Sequence, residues 1–309
     1  MFQSLMEKIA AIDIGSNAIR LSVAKTEADG DFKLIKKVRV PLRLGSEAFG
    51  PSHSFSPDLL NKALQTFIDF KHILESQGVV RCRAIATSAC RESINAEELF
   101  QVVEAQTGIH IEKISGDTEA KMLLSVLVKK LKFDEKADYL LFDLGGGSLE
   151  LSQIEHGTIA GSKSFDLGTV RLLNLIQTDH ADKVDLVLQQ YQKEILGYLD
   201  EAVLKSKNLV VVGTGGNFRR LQKLRNHLIK GKNNEVKPYE LIYLYERLKK
   251  TPVKDLANQY DLSPDRAEVI LPALRIMMTV CDKLPVKTFL CPKLGLIEAI
   301  LHQMIIHPN

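Results

Sequence analysis

Tryptophan is absent from this 309-residue chain and aromatic residues make up only 6% of it. That scarcity argues against a single-strand nucleic-acid binder built on stacked rings. No charge of one sign dominates: 41 Lys and Arg against 38 Asp and Glu leave a net +3. Bulk electrostatics therefore do not make it a polyanion coat, and any polyanion binding falls to local segments. Cysteine is scarce, at positions 82, 90, 281 and 291, with no Cys-x-x-Cys and no zinc-type spacing. The four are expected to be free, buried thiols of a protein kept in a reducing compartment. No apolar run reaches the roughly 18 residues of a membrane span. The opening MFQSLMEKIAAIDIG is interrupted by Asp13 too soon for a secretory signal. A cytoplasmic protein with no membrane partner and no specific nucleic-acid partner is the expectation. What is present, 45% apolar and 26% charged residues, is ordinary for a globular protein and long enough for two domains.

An internal repeat organises the chain. KIAAIDIGSNAIRLSVAKTEADGDFKLIKKVRVPLRLG is echoed by ADYLLFDLGGGSLELSQIEHGTIAGSKSFDLGTVRLL. Each copy reads as an apolar strand ending in Asp-x-Gly, a turn, an alternating strand, a hairpin around Gly30 or Gly157, and a third strand. Helices and strands alternate between and after the copies, which predicts duplicated α/β domains. Residues 56–78 carry helix signals, with Ser56 at the N-cap, Pro57 at the first helical position and Gly78 at the end. Asn95 and Glu98 suggest a capping box for the next helix. The 132–138 segment is the expected hinge.

Three glycine-assisted loops follow apolar strands. In DLGGGS (143–148) the glycines Gly145, Gly146 and Gly147 remove every Cβ, so backbone N–H groups can converge on an anion. A plain hairpin turn is the competing reading. DIGSN repeats the pattern at Asp13, Gly15, Ser16 and Asn17, where an Asx-type turn is the alternative. GTGGN (213–217) opens a helix, as recurrent phosphate sites do, though a simple strand-to-helix turn would look alike. It lacks the Lys-Ser/Thr ending of a P-loop and the spacing of the dinucleotide fingerprint.

Together the loops have the layout of the actin-like superfamily. AIDIGSNAIRL, IATSACRESIN, ISGDTEAKM, FDLGGGSLEL, VVGTGGNFRRL and LSPDRAEVILPAL closely resemble the exopolyphosphatase / guanosine pentaphosphate phosphohydrolase family, in that family's order. The resemblance implies an α/β fold of two duplicated actin-like (ribonuclease H-like) domains around a central cleft. The expected division is 1–125 and 126–309, with the C-terminal helix packing back on the first domain. It implies the short form, without an appended helical phosphohydrolase-like domain, and homodimerisation. It also implies hydrolysis of terminal phosphoanhydride bonds of inorganic polyphosphate, releasing orthophosphate, with guanosine pentaphosphate as a further substrate and Mg2+ as cofactor.

Residue by residue, Glu119 matches the base that activates water, and Arg91 an arginine that stabilises phosphoryl charge. Asp143 and Glu150 match the carboxylates tied to the divalent metal and the reacting phosphate. Asp13, Gly15, Ser16 and Asn17 match the first phosphate loop, Gly145, Gly146, Gly147 and Ser148 the second, and Gly213, Gly215 and Gly216 the third. Leu149 and Asn217 stand where threonine is common. The family's Gly-Leu-Arg-Glu-Gly reads here Gly295, Leu296, Ile297, Glu298, Ala299, a departure that bears on substrate preference.

Between Thr214 and Asn234 lie Arg219, Arg220, Lys223, Arg225, Lys230 and Lys232 and no acidic residue. A solvated helix face is one reading. Beside a phosphate loop, a guide for a long polyanion is the better one. A helix N-terminus favours the ionised form of Glu119, as a general base requires. The rival functions are a kinase or ATPase of the same superfamily and a non-catalytic alarmone-binding regulator. The kinase would need an acceptor pocket, and a pure sensor would not need Glu119.

Overall fold

The computed structural model describes residues 6–178, 180–229 and 234–307. The chain forms two compact units, one running to Val126 and resuming at Leu294, the other spanning Leu127–Lys293. The division falls inside a helix rather than in the 132–138 segment expected to be the hinge.

In the first unit the repeat becomes β1 (Lys8–Ile14), β2 (Ile19–Thr26) and β3 (Phe32–Val40), paired antiparallel in sequence order. Then come α1 (Gly45–Ala48), α2 (Pro57–Gln77), β4 (Arg81–Ala86), α3 (Ser88–Glu92), α4 (Ala96–Thr107), β5 (Ile111–Lys113) and α5 (Gly116–Lys130). The sheet order is β3-β2-β1-β4-β5, with β4 and β5 parallel to β1. Helix α2 forms as its signals predict: Ser56 accepts from the Leu59 N–H, and Gly78 ends it at φ +63°. The capping box at Asn95 does not form. Its carboxamide instead binds both backbone groups of Phe55, forty residues away, and accepts from the Ser93 hydroxyl.

The second unit repeats the plan with β6 (Asp138–Leu144), β7 (Leu149–Glu155) and β8 (Thr158–Phe165). It continues through α6 (Thr169–Ile176), α7 (Val184–Tyr198), α8 (Glu201–Leu204), β9 (Leu209–Thr214), α9 (Gly215–Leu228), β10 (Glu235–Val236), α10 (Pro238–Leu248), α11 (Val253–Gln259), α12 (Pro264–Cys281) and β11 (Val286–Leu290). The order β10-β11-β9-β6-β7-β8 contains the first sheet's pattern, with β9 and β11 parallel to β6. The hairpin glycines are equivalent too, Gly30 at φ +76° and Gly157 at φ +75°. The final helix, α13 (Leu296–Ile306), returns to the first unit and packs on β1 and β2.

Each unit has its own core. Strands β1 and β6 are buried nearly throughout, which explains their unbroken apolar runs. In the second core Phe218 meets Phe142 edge-on at 5.4 Å and Phe289 at 6.0 Å. All four cysteines are free, but only Cys90, Cys281 and Cys291 are buried. Cys82 is exposed on β4, contrary to expectation, because alternate residues of that strand's first half face outward. Burial pushes the Cys90 and Cys291 thiols up to about 12, which leaves them unreactive.

Phe218→Ala should remove the centre of the three-ring stack and cost about 3–5 kcal/mol. Urea unfolding of the variant measures it, and a loss of under about 1 kcal/mol would show that the site collapses around the cavity.

Candidate active site

In open α/β sheets, ligand sites form beyond the carboxyl ends of the parallel strands. The expected residues of each unit lie at that edge. In the first unit the turn after β1 closes when the Gly15 N–H donates to the Ala18 carbonyl at 3.2 Å. Asp13 is only 4% exposed and sits opposite Arg20, whose Nη1 donates to its Oδ2 at 2.5 Å. Ser16 Oγ lies 2.9 Å from Ser88 Oγ at the start of α3, and the Thr87 N–H donates to the Ile14 carbonyl at 3.2 Å. Turn and helix are thereby locked together.

Helix α3 carries Arg91. Its Nη1 donates to the Ile114 carbonyl at 3.1 Å and stands 3.5 Å from Glu119 Oε2. Glu119, 8% exposed, lies in the first turn of α5. Its N–H donates to the Ser115 carbonyl at 3.0 Å, while Ser115 Oγ accepts from the Thr118 N–H at 3.2 Å. One unit thus gathers the turn after β1, Arg91 and Glu119.

In the second unit the Gly145 N–H donates to the Ser148 carbonyl at 2.9 Å, the same closure as in the first copy. Asp143 and Glu150 are buried and directly opposite in the β6–β7 register. Thr214 Oγ1 donates to Asp143 Oδ1 at 2.8 Å, and Glu150 Oε1 accepts from Ser148 Oγ at 2.6 Å and Ser164 Oγ at 3.0 Å. The third loop, with Gly216 half-buried in it, is tied to the second through Asn217 Nδ2, which donates to the Leu144 carbonyl at 2.7 Å. Gly215 cannot be replaced at little cost: its φ is +82°, and a Cβ there would stand 2.9 Å from Asp143 Oδ1.

The two copies differ at one telling position. Arg20 in the first takes the place that Glu150 holds in the second. One aspartate is neutralised by its strand neighbour, and the other faces a second carboxylate. No cluster of three metal-ligating side chains occurs among the described residues. A facing carboxylate pair, one member already fixed by hydroxyl donors, fits Mg2+, which keeps several waters and takes substrate oxygens as its other ligands.

Gly213 lies within β9, and a Cβ there would fall 2.2 Å from the Phe218 ring, so packing by itself calls for a glycine. One sequence assignment is corrected. Arg225 is not a surface guide, because Glu240 Oε1 accepts from its Nε at 3.0 Å and lies 2.9 Å from its Nη2, with both side chains largely buried. Of the remaining basic residues, Lys223 is exposed and Arg219 and Arg220 are half-buried; Lys230 and Lys232 lie outside the described residues.

Residues without a role in the sequence reading also reach the site. Thr214, in register with Asp143, binds it directly. The start of α6 backs the triple-glycine turn: Gly168 admits no side chain, since a Cβ would fall 2.3 Å from the Gly146 carbonyl oxygen, and Arg171 Nε donates to the Gly147 carbonyl at 2.9 Å. The available signal was a second Asp-x-Gly, at Asp166–Gly168, closing the repeat.

A family profile described as the Ppx/GppA phosphatase family matches residues 22–307. The bifunctional 3-dehydroquinate synthase/phosphatase of Fusobacterium nucleatum is 26% identical over 294 residues, 88% of this chain and 43% of that protein. Exopolyphosphatase 2 of Mycobacterium tuberculosis is 31% identical over 175 residues, 54% of each. The chain spans about half the length of these curated relatives. An exopolyphosphatase from Cytophaga hutchinsonii superposes with a TM-score of 0.84 at 21% identity, over 97% of this chain and 98% of that one. A Ppx/GppA member from Aquifex aeolicus gives 0.77 at 21% identity, over 99% of both. The fold is the two-domain actin-like one that the glycine loops and the family resemblance led us to expect, and its two units are the duplicated α/β domains predicted by the repeat.

Arg225→Ala should strand Glu240 as a buried charge and cost about 3–5 kcal/mol. The double variant Arg225→Met/Glu240→Leu should recover most of it in urea unfolding, and a double variant as unstable as the single one would contradict this account.

Proposed function

The chain belongs to the Ppx/GppA phosphatase family, and from that premise we propose that it is an exopolyphosphatase. Its substrate on this reading is inorganic polyphosphate, with guanosine pentaphosphate, which ends in the same kind of phosphoanhydride, as a second. The names of the mycobacterial and Cytophaga relatives support the substrate class. The observation that supports the reading most strongly is Glu119, a buried carboxylate at a helix start, held by an arginine of the helix that is bonded to the first phosphate turn.

In the proposed reaction the oxygen of a water attacks the terminal phosphorus in line. The bond from that phosphorus to the bridging oxygen breaks, releasing orthophosphate and a chain one unit shorter. Glu119 takes the proton from the attacking water. Arg91 aligns Glu119 and offsets phosphoryl charge, and the turns after β1 and β6 bind phosphate oxygens. This chemistry depends on positioning and charge neutralisation rather than on a covalent intermediate. Asp143 and Glu150 are the residues that would hold Mg2+, which when bound neutralises charge on the phosphate oxygens. We place the activity in the cytoplasm. Four free thiols support a reducing setting, and no described helix is long and apolar enough to cross a membrane.

Glu119→Gln keeps the shape and removes the basicity. It should lower kcat for phosphate release from polyphosphate by roughly 10²–10⁴-fold, with KM little changed. Retention of more than about a tenth of wild-type kcat at saturating substrate and magnesium would place the base elsewhere.

Lys223 and Arg220, on the helix that follows the third loop, are proposed to guide long chains. Arg220→Ala/Lys223→Ala should raise KM for long polyphosphate more than for tripolyphosphate, with kcat nearly constant, and flatten the salt dependence of KM. Equal KM changes for both substrates would sink the guide.

A further inference from the structure

A turn of three glycines has many conformations open to it, and few of them aim successive N–H groups at one point. Something outside the turn must choose. In the second unit the chooser is the start of α6. The Gly145 carbonyl accepts from the Thr169 N–H at 3.2 Å, and the Gly146 carbonyl from the Val170 N–H at 2.7 Å and the Arg171 N–H at 3.2 Å. The Gly147 carbonyl accepts from Arg171 Nε at 2.9 Å. No described peptide bond is cis, and in a planar trans peptide the N–H points opposite to the C=O. With three consecutive carbonyls turned towards α6, the N–H groups of Gly146, Gly147 and Ser148 point away from it as a set. Such a run of donors is an anion nest. Two of these carbonyls are held by backbone N–H groups, whereas the one behind the Ser148 N–H has a side chain as its donor.

The first unit carries the same device in different residues. There the Gly45 N–H donates to the Ser16 carbonyl at 2.8 Å, and a Cβ on Gly45 would fall 2.9 Å from Ser16 Cβ. Arg43 Nε donates to Asn17 Oδ1 at 3.0 Å. With Asp13 aligned on Asp143 and Gly15 on Gly145, Asn17 occupies the place of Gly147, and Leu44–Gly45 that of Leu167–Gly168. Arg43 lies before its Leu-Gly pair and Arg171 after its own, so two unrelated sequence positions deliver an arginine Nε to the same turn residue. In Asn17 the grip on Oδ1 fixes the carboxamide and leaves Nδ2, its donor, on the opposite arm.

We infer that Arg43 and Arg171 are a pseudo-symmetric pair of positioning residues, each of which turns the acceptors of its own phosphate turn backwards so that the donors of that turn face an anion. The inference rests on the reading of these turns as phosphate sites. The ion pair of Arg171 with Asp166, 3.8 Å away and largely exposed, contributes little.

The test uses the full chain labelled with 15N-serine, titrated with inorganic phosphate and magnesium, beside tripolyphosphate kinetics. In the wild type, phosphate should move the Ser148 amide resonance downfield. Arg171→Met should abolish most of that shift and raise KM about tenfold, the loss of one charge-assisted hydrogen bond, with kcat nearly unchanged. Arg171→Lys should recover part of both, and Arg43→Met should raise KM by a similar factor. A normal shift and normal KM in Arg171→Met overturn the inference while leaving the phosphate reading intact. A raised KM with a normal Ser148 shift overturns it too, because Arg171 would then touch substrate itself. A wild-type Ser148 amide indifferent to phosphate removes the underlying reading and the inference with it. Should Arg171→Met not fold, an unchanged KM in Arg43→Met refutes the pairing.

Discussion

Before a backbone turn offers its N–H groups to an anion, its carbonyl groups need donors of their own. Every buried backbone group has to be satisfied, and a turn of glycines has no side chains to do it. The segment after the third strand of each repeat supplies what is missing: Gly45 binds the Ser16 carbonyl, and the start of α6 binds those of Gly145, Gly146 and Gly147. Close approach of two backbones sets the remaining requirements. Gly168 is a glycine because the Gly146 carbonyl occupies the space of its Cβ, and Gly45 because Ser16 and the Phe49 ring do. The strand order follows the same need, since β3 and β8 return the chain to the edge where the turns are.

Duplication gave two such turns, and one substitution across the pleat separated their chemistry. Cross-strand neighbours interact strongly on a shared face. Arg20 opposite Asp13 leaves the first turn with a neutralised carboxylate. Glu150 opposite Asp143 leaves the second with two carboxylates side by side, which accept from the hydroxyls of Thr214, Ser148 and Ser164. The first arrangement suits an anion directly. The second suits an anion accompanied by a cation.

What was legible in the sequence depended on how far each residue reaches. Glycine loops were legible because the need for a missing Cβ is written at the position itself, and helix α2 because Ser56, Pro57 and Gly78 act within a few residues. The repeat made the three hairpin-linked strands of each unit readable before any contact was known. Residues whose partners lie far along the chain were misread or passed over. Asn95 looked like a cap but serves Phe55, forty residues away, and Arg225 looked like surface charge but answers Glu240 on the next helix. Arg171 carried no local signal at all, because its acceptor is a backbone carbonyl twenty-four residues earlier.

The carboxylate proposed as base sits on a helix rather than on a turn, and that division has a physical reason. A glycine turn binds well because its donors crowd together, but it has no side chain with which to hold a proton acceptor at one angle. Helix α5 does. Its first turn is fixed by the Ser115 hydroxyl and by the Glu119 N–H bond to the Ser115 carbonyl. Arg91 reaches Glu119 from α3 while donating to the Ile114 carbonyl, and the Ile114 N–H is itself bonded to the Ala86 carbonyl at the end of β4. The carboxylate is therefore referenced to the same parallel strands that carry the turn after β1. In a reaction whose rate depends on alignment more than on strong acid or base, the sheet edge itself sets the distance between binding and proton transfer.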